Sequence, residues 1–447
     1  EAEAAGEDGE AAEEPAEEED EDADEEEGEE APAEEEEEEA PPIYVQAWSH
    51  LDYKEPIDKA RTDVNRPVSG PYKPKSYDQA SKTMVIEINP EFKGNHEGQV
   101  AQIPTLIFKY ADSTTAIDQF KTGAIDLLQG QSSGTEINAG LDLVEEDPER
   151  YDYATYPRSG YGKLQFVADL YPTKDVEVRQ AIAHLLDRNE FARAFTGGFG
   201  GVVNGPYGEG QWYYMKTKAE LDGVLNNYPY DPEEAKTLLD SAGWNLDENG
   251  GEYSGEGLRY KENPETGELM PLVINWFSTE NNPVSEQLVI SLQENPDVAA
   301  AGMEIIQDTG DFTTLLNWMY RDGSQGEQFA VPHYHMFNLG SGLPATYLPT
   351  TEFTTDPDML AAGYNTNFLV DEELYEAAST LGLVDPSDEE EFLQRYVKYI
   401  TIWNKLLPDL PLYSNEYHDF FNAKLVDYEI DDLIGIDIAL LYASLDE

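Results

Sequence analysis

The strongest hydrophobic pattern in this sequence lies in residues 175–198. Its apolar residues recur at spacings of three and four, which places them on one stripe of a helix. They are Val178, Ala181, Ile182, Leu185 and Leu186. Asp187 and Glu190 form a capping-box pattern that begins a second helix, and Gly197 and Gly198 end it. The segment therefore predicts two consecutive amphipathic helices.

A third amphipathic helix is predicted about thirty residues further along, in the sequence YDPEEAKTLLDSAGW. Asp231 is a typical N-cap, Pro232 fits the first turn, and Gly243 ends the helix. The buried stripe consists of Ala235, Leu238, Leu239 and Ala242. Capped helices with one apolar stripe are typical of an α/β domain, in which each helix lies on a sheet.

Strands alternate with helices along much of the chain. Alternating apolar and polar residues predict a strand at Thr83–Ile88. Two strand–helix–strand units follow, at 106–110, 114–122 and 125–128, and at 272–277, 284–294 and 303–307. A further helix is predicted at Phe312–Tyr320 and a further strand at 330–337. This order indicates an α/β fold with helices on both faces of the sheet.

Charge and composition narrow the classes of partner. The chain has 447 residues, 40% of them hydrophobic, and a net charge of −66. Residues 1–40 contain 25 acids and no base, so the other 407 residues still carry −66 + 25 = −41. Such a surface repels nucleic acid and anionic lipid headgroups. The absence of cysteine excludes disulfides, thiolate metal sites and a cysteine nucleophile.

The N-terminal residues of the sequence give the clues to targeting. No run approaches the ~20 apolar residues of a membrane span. Because the sequence begins with Glu1 rather than methionine, we expect that a signal segment has been removed or left out. Residues 1–42 are so rich in acids and so poor in apolar residues that we expect a disordered acidic tether.

Five segments, taken in order, resemble the extracytoplasmic solute-binding proteins of peptide- and nickel-type ABC importers (solute-binding family 5). They are SGPYKPKSYDQASKTMVIEINPEF, LIFKYADSTTAIDQFKTGAIDLLQ, DVEVRQAIAHLLDRNEF, YDPEEAKTLLDSAGW and YITIWNKLLPDLPLYSNEY. The resemblance implies a periplasmic-binding-protein-like type II fold. In the family a much longer stretch separates the tether from the GPY segment, and here only residues 43–68 stand there. We therefore expect a complete second lobe at 106–413 and a reduced first lobe at 43–105 and 414–447.

The resemblance also implies a function. It predicts capture of an oligopeptide or similar polar solute for ABC permease subunits, with no enzymatic activity and no cofactor. It further implies a cell-surface lipoprotein, anchored to the membrane only through a lipid upstream of the tether. Two alternatives remain open: a secreted hydrolase that acts on glycans, and a tethered surface module without a transport role. Acidic pairs suited to a glycosidase could be hidden among the many acids, but no Gly-x-Ser-x-Gly or HExxH motif is present.

The expected ligand-binding residues lie at strand ends or in the loops after strands, where open α/β sheets bind ligands. They are Tyr161, Gly162, Lys163, Tyr207, Trp212, Trp276, Phe277, Glu280, Phe337, Asn338 and Tyr413. At Gly340, peptide-binding relatives carry an acid that pairs with the peptide amine, and dipeptide-type relatives carry an arginine where this chain has Glu280. Lys163 is the expected partner of an anionic group and Glu280 that of a cationic group. No metal site is predicted, since His333 and His335 lack a third ligand.

Overall fold

A computed structural model describes residues 57, 59–61 and 63–446 of the chain. The expected tether, residues 1–42, lies outside the described residues. The chain divides into two compact units, Glu1–Asp63 and Val64–Glu447. All the elements described below belong to the second unit. Among the described residues, no helix has the length and apolar character that a membrane crossing requires.

The second unit contains fifteen strands. They are β1 Tyr72–Asp78, β2 Thr83–Ile88, β3 Thr105–Lys109, β4 Leu127–Gln131, β5 Tyr151–Pro157, β6 Gly160–Phe166, β7 Gly200–Gly201, β8 Tyr260–Glu262, β9 Leu269–Pro271, β10 Val273–Thr279, β11 Glu304–Gly310, β12 Met336–Gly342, β13 Asp409–Asn422, β14 Leu425–Val426 and β15 Ser444–Leu445.

Thirteen α-helices accompany these strands within the described unit. They are α1 Ser113–Lys121, α2 Gly134–Glu146, α3 Val176–Leu185, α4 Arg188–Thr196, α5 Trp212–Val224, α6 Pro232–Ser241, α7 Pro283–Leu288, α8 Pro296–Ala300, α9 Phe312–Tyr320, α10 Pro357–Ala361, α11 Glu372–Leu381, α12 Glu389–Leu406 and α13 Ile436–Tyr442. A π-helical turn, Val289–Gln293, extends α7, and two 3₁₀ turns lie at Gly323–Gln325 and Glu327–Ala330.

The three helices with the clearest sequence signals form as predicted. The carboxylate of Asp187 accepts from the Glu190 N–H at 3.0 Å, and Gly197 ends α4 with φ 62°. Asp231 caps α6 through the N–H groups of Glu233 and Glu234. All five residues of the predicted stripe in α3 are buried. Local periodicity and capping are sufficient here because each signal depends only on residues within one or two turns.

One predicted strand is misplaced. Residues 330–337 were expected to form a strand, but residues Glu327–Ala330 form a 3₁₀ turn and β12 begins only at Met336. Pro332 lacks the N–H that a ladder needs, and Val331 is exposed. The strand continues instead to Gly342, through a Gly-Ser-Gly sequence that carries no strand signal of its own.

The central sheet is mixed. Its strand order is β11-β10-β12-β6-β13-β4, with β5 and β7 also pairing with β13. β10 is parallel to β11 and β12, whereas β6 is antiparallel to β12 and β13. A separate antiparallel sheet contains β1, β2 and β3.

Helices cover both faces of the sheet, as predicted. Leu164 and Phe166 of β6 face a core shared with α3, α4, α6 and α7, while Tyr161 faces a core shared with α5, α11 and α12. Two smaller cores join parts of 103–154 to residues near the end of the chain, among them Phe420, Phe421 and Leu440. The other hydrophobic clusters consist of residues within 161–413. Strand β13 therefore connects two packed regions of one unit: residues 161–413, and residues 103–154 together with the end of the chain.

Candidate functional site

The site lies where β13 leaves β6 and begins to pair with β5. Tyr413 of β13 pairs with Gly162, whereas Glu416 pairs with Pro157 at the end of β5. The link between β5 and β6 is only two residues long, Arg158 and Ser159, and the Arg158 N–H donates to the Asn415 carbonyl at 2.9 Å. Two neighbouring chain segments therefore connect the two packed regions, as in a hinge.

A charged cluster is buried beneath this junction. Lys163 Nζ lies 2.8 Å from Asp409 Oδ2, and both side chains are at least nine-tenths buried. The Tyr161 hydroxyl donates to the same oxygen at 3.1 Å, and Asn367 Nδ2 donates to Asp409 Oδ1 at 2.9 Å. The ammonium that was expected to bind an anionic solute is thus already compensated by a carboxylate, and Asp409 is the acceptor at the centre of the cluster.

Glu352 brings a second carboxyl group to this cluster from the loop after β12. Burial raises the pKa of Glu352 to about 7, while the nearby Lys163 lowers it and Asp409 raises it. The carboxyl is therefore protonated in the folded protein at mildly acidic pH. Phe353 and Thr354, the next two residues, are buried and hold this part of the loop against the core.

We expect the E352Q variant to remove a pH-dependent penalty on stability. The folded-state pKa lies above the ordinary value of 4.5. The folded protein therefore binds this proton more tightly, and stability is lost as the pH rises from about 4.5 to 7. At pH 8 the variant should be more stable than the wild type by on the order of 2–3 kcal/mol, and at pH 4.5 equally stable. Urea unfolding at both pH values measures this, with the exposed Glu376 changed to Gln as control. Equal stabilisation at both pH values would contradict the assignment.

The expected aromatic ligand residues are mostly buried. Trp276 is 1% exposed, and its Nε1–H donates to Asn338 Oδ1 at 3.1 Å. Phe277 and Phe337 belong to one core cluster with Leu315. Trp276, Phe277, Phe337 and Asn338 are thus all buried in the interior, and contact of any of them with a solute remains a prediction.

Four other expected residues lie closer to the junction. Gly162 faces the ring of Tyr413, since a Cβ at position 162 would lie 2.5 Å from Tyr413 Cε1. Tyr207 stacks on Tyr214 with ring centroids 4.1 Å apart. Trp212 is only partly buried and donates to the Thr346 hydroxyl, in the loop after β12.

Glu280 directly follows β10 and is exposed. The structure therefore brings Tyr161, Gly162, Lys163 and Tyr413 together around β6 and β13, and it leaves Glu280 at a separate strand end.

Arg158 was not predicted from the sequence. Its Nη2 donates to the Ser341 carbonyl at 2.9 Å, and its Nη1 donates to Asn415 Oδ1 at 3.3 Å. The guanidinium lies over the Tyr417 ring, 5.7 Å from the centroid. Burial raises the pKa of Tyr413 to about 12, and the charge of Arg158 opposes that rise. The sequence shows only that Arg158 lies between two segments that form strands, β5 and β6. The register of the strands is needed to show which residues its guanidinium contacts.

No group of three or more potential metal ligands occurs among the described residues. His335 is buried and uses both ring nitrogens: Nδ1 accepts from the Asn275 N–H, and Nε2 lies 2.8 Å from the Tyr171 carbonyl. Burial lowers its pKa to about 4. The spacing of His333 and His335 predicted that they share one face of a strand. This is wrong, because both residues precede β12.

Two surface pockets, of about 250 and 260 Å³, adjoin Tyr230. None of the expected ligand residues lines either pocket.

Comparisons with known proteins identify the family. The sequence profile of the bacterial extracellular solute-binding proteins, family 5 Middle, matches residues 20–368. The chain belongs to this family. The resemblance seen in the five sequence segments is thereby confirmed, and so is the type II α/β fold that it implied.

Relatives of this family 5 protein include binding proteins of ABC importers. A putative ABC transporter peptide-binding protein of Brucella ovis is 24% identical over 267 residues, 59% of this chain and 42% of the relative. The oligopeptide-binding protein AppA of Bacillus subtilis is 24% identical over 278 residues, 60% of this chain and 45% of AppA. The matched part of the chain thus spans less than half the length of these curated relatives.

Solved structures show the same fold. AppA of Bacillus subtilis in complex with a nonapeptide has a TM-score of 0.71 at 18% identity, covering 91% of this chain and 72% of AppA. NikZ of Campylobacter jejuni in complex with Ni(L-His) has a TM-score of 0.62 at 20% identity, covering 84% of this chain and 68% of NikZ. These identities are too low to transfer a ligand, so the structures support the architecture alone.

Proposed function

We propose that this protein is the solute-binding component of an ABC importer, capturing an oligopeptide or similar polar solute at the cell surface. The observation that carries the proposal is the double connection at Arg158–Ser159 and Ser414–Asn415, within a fold that matches type II binding proteins. Two short adjacent connections allow the packed regions to rotate about one axis. A solute that contacts both regions stabilises the closed state by its differential affinity.

The class of solute follows from the relatives. Two of them bear names of peptide binding, and one structure contains a nickel–histidine complex. Both kinds of ligand are small and polar, and both carry amines and carboxylates. The function needs no bond-making step and no cofactor. Docking of the closed form on ABC permease subunits completes the proposal. A lipid anchor upstream of the acidic segment is the corresponding proposal for localisation.

The reduced first lobe is also a proposal, and exposed apolar side chains support it. In β3, Ile107 is 58% exposed and Phe108 is 42% exposed. Most side chains of this edge strand face solvent instead of a neighbouring layer. Larger exposed apolar patches usually mark surfaces that another segment covers. We therefore propose that the wall opposite the second lobe is incomplete in this chain.

We expect the 447-residue chain to bind a tripeptide weakly, with a Kd near 1 mM for trialanine. A complete site buries ~70–90% of its ligand, and one lobe provides about half of that contact. Losing half of the ~8 kcal/mol of a micromolar site leaves millimolar binding. Ten millimolar trialanine should then stabilise the protein by about 1.4 kcal/mol, or about 2 °C in Tm. Calorimetry and thermal unfolding measure the two quantities.

Controls separate this function from its alternatives. Glycerol at the same concentration corrects for non-specific stabilisation, and the peptide is recovered afterwards and examined by mass spectrometry. Intact peptide with a saturable heat signal supports solute binding. Shortened peptide, or hydrolysis in a parallel incubation with a glycan, would indicate an enzyme. A micromolar Kd would show that residues 43–68 suffice to close the site, and the reduced first lobe would be abandoned.

A further inference from the structure

Arg158 is an arginine without an acidic partner in a very acidic protein. The chain has 93 acids and 27 lysines and arginines, yet the guanidinium of Arg158 forms no ion pair with any residue that the structure describes. Its two geometric hydrogen bonds go to a carbonyl and an amide oxygen, and the Tyr413 hydroxyl also interacts with it, so all three partners are neutral. Its Nε is buried and has no hydrogen-bond partner among the described residues. The positive charge and part of the donor capacity are therefore unused.

Two other arginines without acidic partners provide a comparison for Arg158. Arg179 makes four hydrogen bonds to carbonyl oxygens, and Arg188 makes four to carbonyl and amide oxygens. Both are almost fully buried, and their contacts hold several segments together. Arg158 makes half as many contacts and is only partly buried. Arg188 also has a buried Nε without a hydrogen-bond partner among the described residues, so Arg158 differs from it by its fewer hydrogen bonds and its partial exposure.

Gly340 allows β12 to approach the guanidinium of Arg158 closely. Gly340 lies under the guanidinium, and a Cβ at position 340 would be 2.7 Å from Arg158 Nη2. Any side chain there would push the guanidinium away from β12. Gly340 is exposed and lies near the end of β12, at the edge of the sheet where open α/β folds bind ligands. The glycine thus keeps the charged group on the edge that faces solvent.

We propose that Arg158 is the anion-binding residue of the solute site, so that the preferred solutes carry a carboxylate which the guanidinium binds. This rests on the proposed function for the identity of the solute, but the anion site itself can be tested separately. A guanidinium and a carboxylate match in geometry and can form two parallel hydrogen bonds. Asn415 and the Tyr417 ring orient the fork on its other sides. The net charge of −66 does not prevent this, because charges beyond about 8–10 Å are largely screened at physiological salt.

The first experiment uses acetate as the probe and requires no knowledge of the solute. The Nε–H resonance of Arg158 is followed by NMR in the full chain and is assigned from its absence in R158K. Acetate should shift it saturably below about 0.1 M, while chloride at equal ionic strength should not. Arg150, which is exposed and donates to the Lys121 carbonyl, is the control and should show no saturable shift. Absence of a saturable acetate shift at Arg158 would overturn the proposal.

The second experiment compares trialanine with its C-terminal amide by calorimetry. In the wild type the amide should bind at least about tenfold more weakly, because a charged hydrogen-bond pair is lost. In R158Q the two forms should bind equally, and R150Q should behave as the wild type. Equal affinity of acid and amide in the wild type would overturn the anion site while leaving solute capture intact. An acetate shift without binding of either peptide would support the anion site and count against peptide capture.

Discussion

The D409A variant should lose about 3–5 kcal/mol of unfolding free energy, the largest effect that we expect from a single substitution. The change removes the carboxylate oxygen that lies 2.8 Å from the buried Lys163 ammonium, and it leaves the Glu352 carboxyl, whose pKa burial raises to about 7, as the nearby acid. It also removes the acceptor of Tyr161 and of Asn367. Uncompensated buried charges and donors cost far more than the pair itself contributes. Urea unfolding followed by circular dichroism measures the loss.

Two controls test this explanation. Glu190 and Arg193 form an exposed ion pair on α4, with side chains 58% and 70% exposed, and E190Q should cost at most about 1 kcal/mol. The double variant K163M/D409L replaces both charges by apolar groups and should recover much of the loss. A D409A protein as stable as E190Q would show that the buried cluster tolerates a free ammonium, and its role as described would be wrong.

The G160A variant should lose about 3 kcal/mol, because it affects the junction beside Arg158 in two ways. Gly160 has φ 156°, which L-residues rarely adopt. A Cβ there would also overlap the carbonyl oxygen of Ser341 on β12. That carbonyl accepts from Arg158, so the same substitution should displace the guanidinium. Urea unfolding gives the stability change, and the Nε–H resonance of Arg158 reports the displacement.

Gly201 provides the matched control for this variant. Gly201 pairs with Ser414 of β13 and has no positive φ. A Cβ added at this position would have no neighbour within 4 Å. G201A should therefore change stability by less than about 0.5 kcal/mol. If G160A and G201A had equal stability and an unchanged Arg158 resonance, the close approach of β6 and β12 at this position would be refuted.

The helices were the most predictable part of the fold. The stripe of α3 and the caps of α4 and α6 are signals among residues close in sequence, and the structure confirms each of them. The start of β12 was misplaced because Pro332 cannot donate to a ladder, and its end was missed because Gly340–Gly342 have no strand preference. They adopt extended structure because β6 supplies a complete antiparallel partner, with Gly340 opposite Gly162. That partner lies far away in the sequence.

The site residues also differ in whether local sequence or distant partners determine their position. Tyr161, Gly162, Lys163 and Tyr413 were placed near strand ends by pattern and resemblance, and the structure gathers them around β6 and β13. The sequence analysis predicted that Lys163 binds an anionic group of the solute. Its true partner, Asp409, lies 246 residues away, and no local pattern indicates that pair. Arg158 was overlooked for the corresponding reason. Its contacts, Ser341 and Asn415, belong to two different strands.

The amino-acid sequence was sufficient for the capped helices α3, α4 and α6, for the α/β class and for the resemblance to solute-binding family 5, because these depend on short-range periodicity, caps and ordered motifs. The tertiary structure was needed to show that Lys163 is neutralised by an acid and that Arg158 is not. That difference depends on the register between β6, β12 and β13, which places the Lys163 ammonium against the Asp409 carboxylate and the Arg158 guanidinium over Gly340. Register is set by packing across the whole sheet, and a pattern within one strand cannot encode it.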